Sequence, residues 1–162
     1  MAEIRRIADQ LQRAFDGDPW YGSPLMKILD GVTAQQAVAR PVGDAHSIWQ
    51  IALHIAAWEG AVLERLAGRA ARLPAEGDWP EITDASENGW QGTLALLHQR
   101  HNELITAITE LTDDQLKSVI GEERDPSTGS GVSVYYTLHG VIQHNTYHAG
   151  QIAILKKAAQ TS

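Results

Sequence analysis

His144 and His148 stand four residues apart in the segment Gln143-His144-Asn145-Thr146-Tyr147-His148. If that segment is helical, about 100° per residue places the two rings within ~40° of each other and one turn apart. Both imidazoles can then reach a single ion. His54 lies in a different segment, sharing a helical face with Gln50, Trp58 and Ala61. Three neutral imidazoles suit a borderline first-row ion such as Zn²⁺ or Ni²⁺. Three protein ligands would leave positions open for water or substrate, the pattern of a catalytic rather than a structural site. The residue types alone leave a second reading open, in which these are core histidines without a metal. Asn145 occupies the place that Glu holds in a His-Glu-x-x-His motif, so peptide hydrolysis by that mechanism is disfavoured. The remaining chemistry is that of a Lewis acid able to lower the pKa of a water or of a substrate thiol.

Other residues qualify as neighbours of such a site. Gln50 and Trp58 fall on the His54 face, and Gln151 is nearly in register with His144. His101 sits on an apolar seam, which allows a group behind the ligands, a fourth ligand or a plain core histidine. Glu59 lies about 140° from His54 by helical count, which makes it a poor general base there. His139 is similarly turned away from His144, toward an interface or a loop contact. His46 reads as an exposed or capping residue and His98 as solvated. Gly129-Ser130-Gly131 is not the Gly-x-Ser-x-Gly elbow and reads as a flexible loop, with anion binding at a helix N-terminus as the alternative.

The elements that must position these residues are all helical. Ile4, Ile7, Leu11 and Phe15 recur at steps of three and four and end at Asp16-Gly17-Asp18-Pro19. From Trp20 to Arg40 the chain reads as a connection with one or two short helices, limited by Pro24 and Pro41. A second long helix is expected from about Asp44 to Leu66, with Asp44 or the capping box Ser47-x-x-Gln50 at its start. Leu73 to Glu81 reads as a crossover loop. Trp90, Leu94, Leu97, His101, Leu104, Ile108 and Leu111 mark a third helix. Thr112-x-x-Gln115 suggests a short capped turn ending by Gly121. After a polar loop, a fourth helix runs from near Ser133 to Ala159. No segment reads as a strand. The expectation is one all-α domain over residues 1–162, a four-helix bundle in which the long second connection permits a crossover.

Composition agrees and excludes several classes. A chain of 162 residues with 43% hydrophobic and 20% charged residues can bury a core as one soluble domain. The absence of cysteine removes disulfides, thiolate metal sites and thiol nucleophiles. A formal net charge of −7 with dispersed basic residues argues against a nucleic-acid partner. The N-terminal residues lack the apolar core of a signal peptide, and no apolar run approaches the roughly 18 residues of a membrane span, so a cytoplasmic protein without a membrane partner is expected. Two stretches carry no Asp, Glu, Lys or Arg: Ala45 to Trp58, and Pro126 to Leu155. A surface helix normally shows charge on its outer face. These two helices are therefore expected to be buried over more than one face. The second also offers a seam of small and polar residues, His139, Gln143, Thr146, Gly150 and Ala153, that suits homodimer contact.

The segment Ser47-Ile48-Trp49-Gln50-Ile51-Ala52-Leu53-His54-Ile55-Ala56-Ala57-Trp58-Glu59 resembles the first metal-binding segment of the DinB/YfiT superfamily. The segment His139 to Ile152, with His-x-x-x-His followed shortly by Gly150-Gln151, is similar to its C-terminal segment. Trp20-Tyr21-Gly22 and Gly31-Val32-Thr33 also resemble one DinB-like branch. The resemblance implies an up-down-down-up four-helix bundle, one divalent metal ion per chain, and frequent homodimers. Carried over by position, it implies His54, His144 and His148 as ligands. It further implies either a thiol S-transferase that uses a low-molecular-weight thiol as cosubstrate, a metal-dependent hydrolase of a small molecule, or a metal-binding stress protein without catalysis. Many relatives have a second His or an Arg just after the last ligand, where this chain has Ala149. No role tied to that position carries over.

Overall fold

A computed structural model describes residues 2–120 and 132–159. Helix α1 spans Glu3–Phe15, and two short helices follow, α2 at Leu25–Leu29 and α3 at Ala34–Val38. Helix α4 spans Ile48–Leu66, α5 spans Glu87–Thr109 and α6 spans Val134–Ala159, with a 3₁₀ turn at Asp113–Lys117. One feature departs from the strandless expectation. Strand β1, Val119–Ile120, pairs antiparallel with β2, Val132–Ser133. Two residues per strand are too few to show a period of two in a sequence.

Local chemistry sets the helix starts. Ser47 accepts from Gln50 N while the Gln50 side chain accepts from Ser47 N, a complete capping box. Helix α4 therefore begins at Ile48 rather than near Asp44, which stands outside it. Thr33 with Gln36 does the same for α3. Asp113 accepts from the backbone N–H groups of Glu3 and Ile4, satisfying two free donors at the start of α1 from a distant turn.

The core has two ends, and they give the helix directions. At one end Phe15, Ile48, Trp49, Ile55, Trp90, Leu97, Ile152 and Leu155 pack together. At the other, Ile4, Ile7, Leu11, Val62, Leu104, Ile108, Val134 and Leu138 do so. Helices α1 and α6 run from the second cluster to the first, and α4 and α5 run from the first to the second. The four long helices are thus up-down-down-up, and the long α4–α5 connection supplies the chain needed to join two helices that run the same way. Two buried tryptophans lock the first cluster. Trp49 Nε1 donates to Thr93 Oγ1 at 2.8 Å and Trp90 Nε1 to the Val32 carbonyl at 2.7 Å, so both indoles are buried with their polar edge satisfied.

The uncharged stretches behave differently. Helix α4 is buried on most sides from Ile48 to Val62. Helix α6 is not: Tyr136, Gln143, Tyr147, Gly150 and Ile154 form an exposed, uncharged stripe along its outer side. Among the described residues no helix is long and apolar enough to cross a membrane.

Candidate metal centre

Helices α4 and α6 pack against each other and bring His54, His144 and His148 together. One ligand atom from each ring lies within 4.8 Å of the others. His54 Nε2 and His144 Nε2 are 2.9 Å apart. A tetrahedral ion with metal–nitrogen bonds of about 2.0–2.1 Å sets its nitrogens roughly 3.3 Å apart, so the rings are close to the required spacing. His54 and His148 are buried and His144 is half-buried.

Each ring is held from behind. His54 Nδ1 lies 2.5 Å from the Asp78 carbonyl oxygen, His148 Nδ1 2.6 Å from Gln151 Oε1, and His144 Nδ1 3.3 Å from Asn145 Oδ1. The Asp78 carbonyl can only accept, so His54 Nδ1 donates and His54 Nε2 keeps its lone pair; His144 Nδ1 and His148 Nδ1 face side-chain amide oxygens. That is the arrangement in which a protein presents imidazole to a metal. The donor set fits a divalent ion by its chemistry as well as its spacing.

The loop between α4 and α5 covers the centre. Trp79 stacks on His54 with ring centroids 3.9 Å apart and planes 10° apart, and on His46 at 3.5 Å and 7°. Trp58 donates from Nε1 to Asp78 Oδ1 at 2.8 Å, which ties this loop to α4. Its ring centroid lies about 6 Å from those of His54 and His144 (6.2 and 6.1 Å). Beside His148 and Trp79 opens a cleft of about 330 Å³, walled by Val42, Ala45, Ile51, Tyr147 and Ile154, with no Asp, Glu, Lys or Arg among the described residues that line it.

Behind the centre lies a buried polar chain. Asn145 Nδ2 donates to Glu59 Oε1 at 2.7 Å. Glu59 and His101 are both 0% exposed, and His101 Nδ1 is 3.6 Å from Glu59 Oε1, beyond hydrogen-bond reach. His101 lies flat on Phe15, with centroids 3.8 Å apart. It provides no atom to the three-histidine group.

The remaining sequence candidates sort by position. Gln151 holds His148, and Trp58 stands at the wall. Gln50 is engaged in the α4 cap and accepts from Arg40 Nη2 at 3.0 Å. His46 is stacked on Trp79 rather than capping, His98 is exposed with its edge to Phe15, and His139 packs on Tyr135. The Gly129-Ser130-Gly131 reading lies outside the described residues. Sequence reasoning did not find Asp78 or Trp79, because a loop has no period to reveal which way its side chains point. The one available signal was a tryptophan within a short turn-rich stretch, Gly77-Asp78-Trp79-Pro80.

Burial pushes His144 down to about 4, with repulsion from His148 and His54 in the same direction and the Asn145 contact opposing. Burial also lowers His148. Both ligands stay neutral at pH values where a free histidine has begun to protonate. Metal occupancy is therefore expected to persist below the pH of about 6 that unperturbed imidazoles would impose. The stability consequence has a definite sign. Between about 6.5 and about 4 the unfolded chain binds a proton at His144 that the native chain refuses, so stability is present above that window and is lost as pH falls through it. Metal-free protein is expected to lose about 2 kcal/mol on this account after discounting partial exposure, a drop of roughly 4–8 °C in Tm. Melting curves of wild type and His144→Gln from pH 7 to 4 check it. The two curves should converge toward acid, and a constant separation would contradict the assignment.

Residues 23–152 match the family model of the DinB superfamily. Among solved structures, a conserved protein from Enterococcus faecalis superposes with a TM-score of 0.70, covering 100% of this chain and 99% of that one at 14% identity. At that identity the likeness concerns the fold alone. No curated protein matches the chain in sequence.

Proposed function

The chain belongs to the DinB superfamily, and from that premise we propose that it is a divalent-metal-dependent enzyme whose three-histidine centre activates a thiol for transfer to a small electrophile. The observation that carries this reading is the common orientation of the ligands. Three Nδ1 atoms rest on oxygens, the Nε2 atoms of His54 and His144 face each other at 2.9 Å, and one nitrogen from each of the three rings lies within 4.8 Å of the others. Zinc or nickel is the ion such a donor set favours. When bound, it would supply Lewis acidity that lowers the pKa of a thiol or water at an open position.

The chain's own residues do the rest. Asp78, Asn145 and Gln151 hold the rings in place. Trp79 shields one face of His54 from water. The uncharged cleft beside His148 suits the apolar part of a substrate. Among the described residues the one carboxylate side chain near the three ligands is Asp78, whose Oδ1 is 3.5 Å from His54 Nδ1 and already accepts from Trp58. The site therefore offers no strong base for activating water, which favours a nucleophile with a lower intrinsic pKa, a thiol.

Turnover of monochlorobimane with a panel of small thiols tests the reading. Conjugation that needs both metal and thiol is the expected result. Hydrolysis of p-nitrophenyl acetate with metal alone would replace it with a hydrolase. Metal binding without turnover of either would replace it with a non-catalytic metal-binding protein.

The exposed stripe of α6 supports a further part of the reading, a homodimer. Tyr136, Tyr147 and Ile154 are 67%, 65% and 67% exposed and recur with Gln143 and Gly150 at steps of three, four and seven. This is the spacing of a helix–helix seam. It overlaps the expected His139, Gln143, Thr146, Gly150 and Ala153 seam at Gln143 and Gly150, while His139, Thr146 and Ala153 are half-buried within the chain. Tyr147 and Ile154 also wall the cleft, so a second copy seated on this stripe would close the cleft beside the metal centre.

A further inference from the structure

We propose that the electrophile is an uncharged aryl compound carrying one hydrogen-bond acceptor, seated in the cleft beside His148 with its ring against the edge of Trp79. This rests on the thiol-transfer reading above and names its substrate class. The cleft shares His148 with the three-histidine group, and its Trp79 wall stacks on His54. A molecule held there lies beside the centre. Val42, Tyr147 and Ile154, which wall the cleft, are all exposed. Exposed apolar side chains gathered around one concavity mark a ligand site rather than ordinary solvated surface.

Size and shape narrow the ligand. An apolar cavity of about 150 Å³ takes up benzene, so a cleft of about 330 Å³ holds one substituted ring. Trp79 is clamped between two imidazoles, with planes 7° from His46 and 10° from His54 at 3.5 and 3.9 Å. With both faces covered, the indole has its edge left to offer. The edge of an aromatic ring is its positive part and prefers the face of another ring. That favours an aryl group over an alkyl chain of the same size.

Charge narrows it further. No Asp, Glu, Lys or Arg is among the described residues that line the cleft. A carboxylate or ammonium entering it would lose water and gain no opposite charge. Thiols built on cysteine carry such groups, which leaves the cleft to the electrophile. One polar handle is present. Gln151 lines the cleft, its Oε1 is 2.6 Å from His148 Nδ1, and its Nε2 has no hydrogen-bond partner among the described residues. That NH₂ is a donor for a carbonyl oxygen on the ligand. With a chloromethyl ketone the transfer balances without redox change. The thiol proton goes to solvent, the sulfur pair forms the C–S bond, and chloride leaves with the C–Cl pair.

Acetophenone and benzoate are close in size and differ in charge. In ¹H–¹⁵N spectra of the metal-free protein, acetophenone is expected to shift the Trp79 indole and Gln151 amide signals, and benzoate to bind at least about 10-fold more weakly. Gln151→Leu should weaken acetophenone roughly 3–10-fold and leave toluene binding unchanged. Ala45→Trp, at an exposed position on the wall, should fill the cleft and abolish acetophenone binding while zinc uptake persists. Benzoate bound as tightly as acetophenone, or acetophenone that moves neither Trp79 nor Gln151, would overturn the proposal. With zinc and thiol, phenacyl chloride should be conjugated at least about 10-fold faster over background than 4-carboxyphenacyl chloride, and equal acceleration of the two would also overturn it. Acetophenone bound as expected without conjugation of any electrophile would refute the thiol-transfer reading and leave the cleft standing as an aryl site.

Discussion

Replacing His144 or His148 by alanine is expected to reduce bound divalent metal from one ion per chain to background near neutral pH. Each ring supplies one of three nitrogens that lie within 4.8 Å of one another. No fourth His, Cys, Asp or Glu among the described residues joins that group. Among the described residues Asp78 Oδ1 is the carboxylate oxygen beside His54, and it is tied to Trp58. Two remaining imidazoles cannot complete a three-ligand site, so the loss should be a collapse rather than a graded weakening. Melting gives an independent view. A ligand that binds only the native state, present at a hundredfold excess over its Kd, adds about 2.7 kcal/mol, or roughly 5–10 °C in Tm. Wild type should gain that increment with zinc and the alanine variants should not. His101→Ala is the contrast. It removes a buried ring stacked on Phe15, so it should lower stability by about 1–3 kcal/mol while metal remains bound. Full metal occupancy in both His144→Ala and His148→Ala would remove the basis of the site.

The second large effect is on assembly. Ile154→Asp is expected to convert a dimer to a folded monomer. Ile154 is 67% exposed, so the substitution should cost the isolated chain no more than about 0.5 kcal/mol. Across a two-fold interface the same change appears twice. Each buried, unpaired carboxylate costs about 3–5 kcal/mol, which corresponds to a dissociation constant raised at least about a hundredfold. Light scattering at micromolar concentration reads the mass of both proteins. A wild-type monomer, or a variant that stays dimeric with an unchanged melting curve, would reject the α6 stripe as the interface.

Much of this site is legible in the residues because helices are periodic. The His144–His148 spacing and the mid-helix place of His54 put three rings on facing stripes of α4 and α6, and the Ser47–Gln50 box fixes where α4 begins. The same periodicity explains the bundle, its four long helices and the inward face of His101. Three features escape it. Asp78 and Trp79 act from a loop, where side-chain direction depends on turns that leave no pattern. The pairing of Glu59 with Asn145 joins residues 86 positions apart, and helical counting shows only that Glu59 faces away from His54, not what it meets there. The β1–β2 ladder holds two residues in each strand, below the length at which alternation can be read. Absence of charge also proved an ambiguous sign. It marks true burial in α4, whereas on α6 it marks an outer stripe that the other described residues leave exposed.

The most direct test of the central claim is X-ray absorption at the metal edge on protein expressed without a histidine tag and loaded with one equivalent of zinc. The account predicts three imidazole nitrogens at about 2.0–2.1 Å with oxygen completing the coordination, and loss of the imidazole scattering pattern in His144→Ala. A spectrum with oxygen neighbours alone, or one unchanged in that variant, would contradict it.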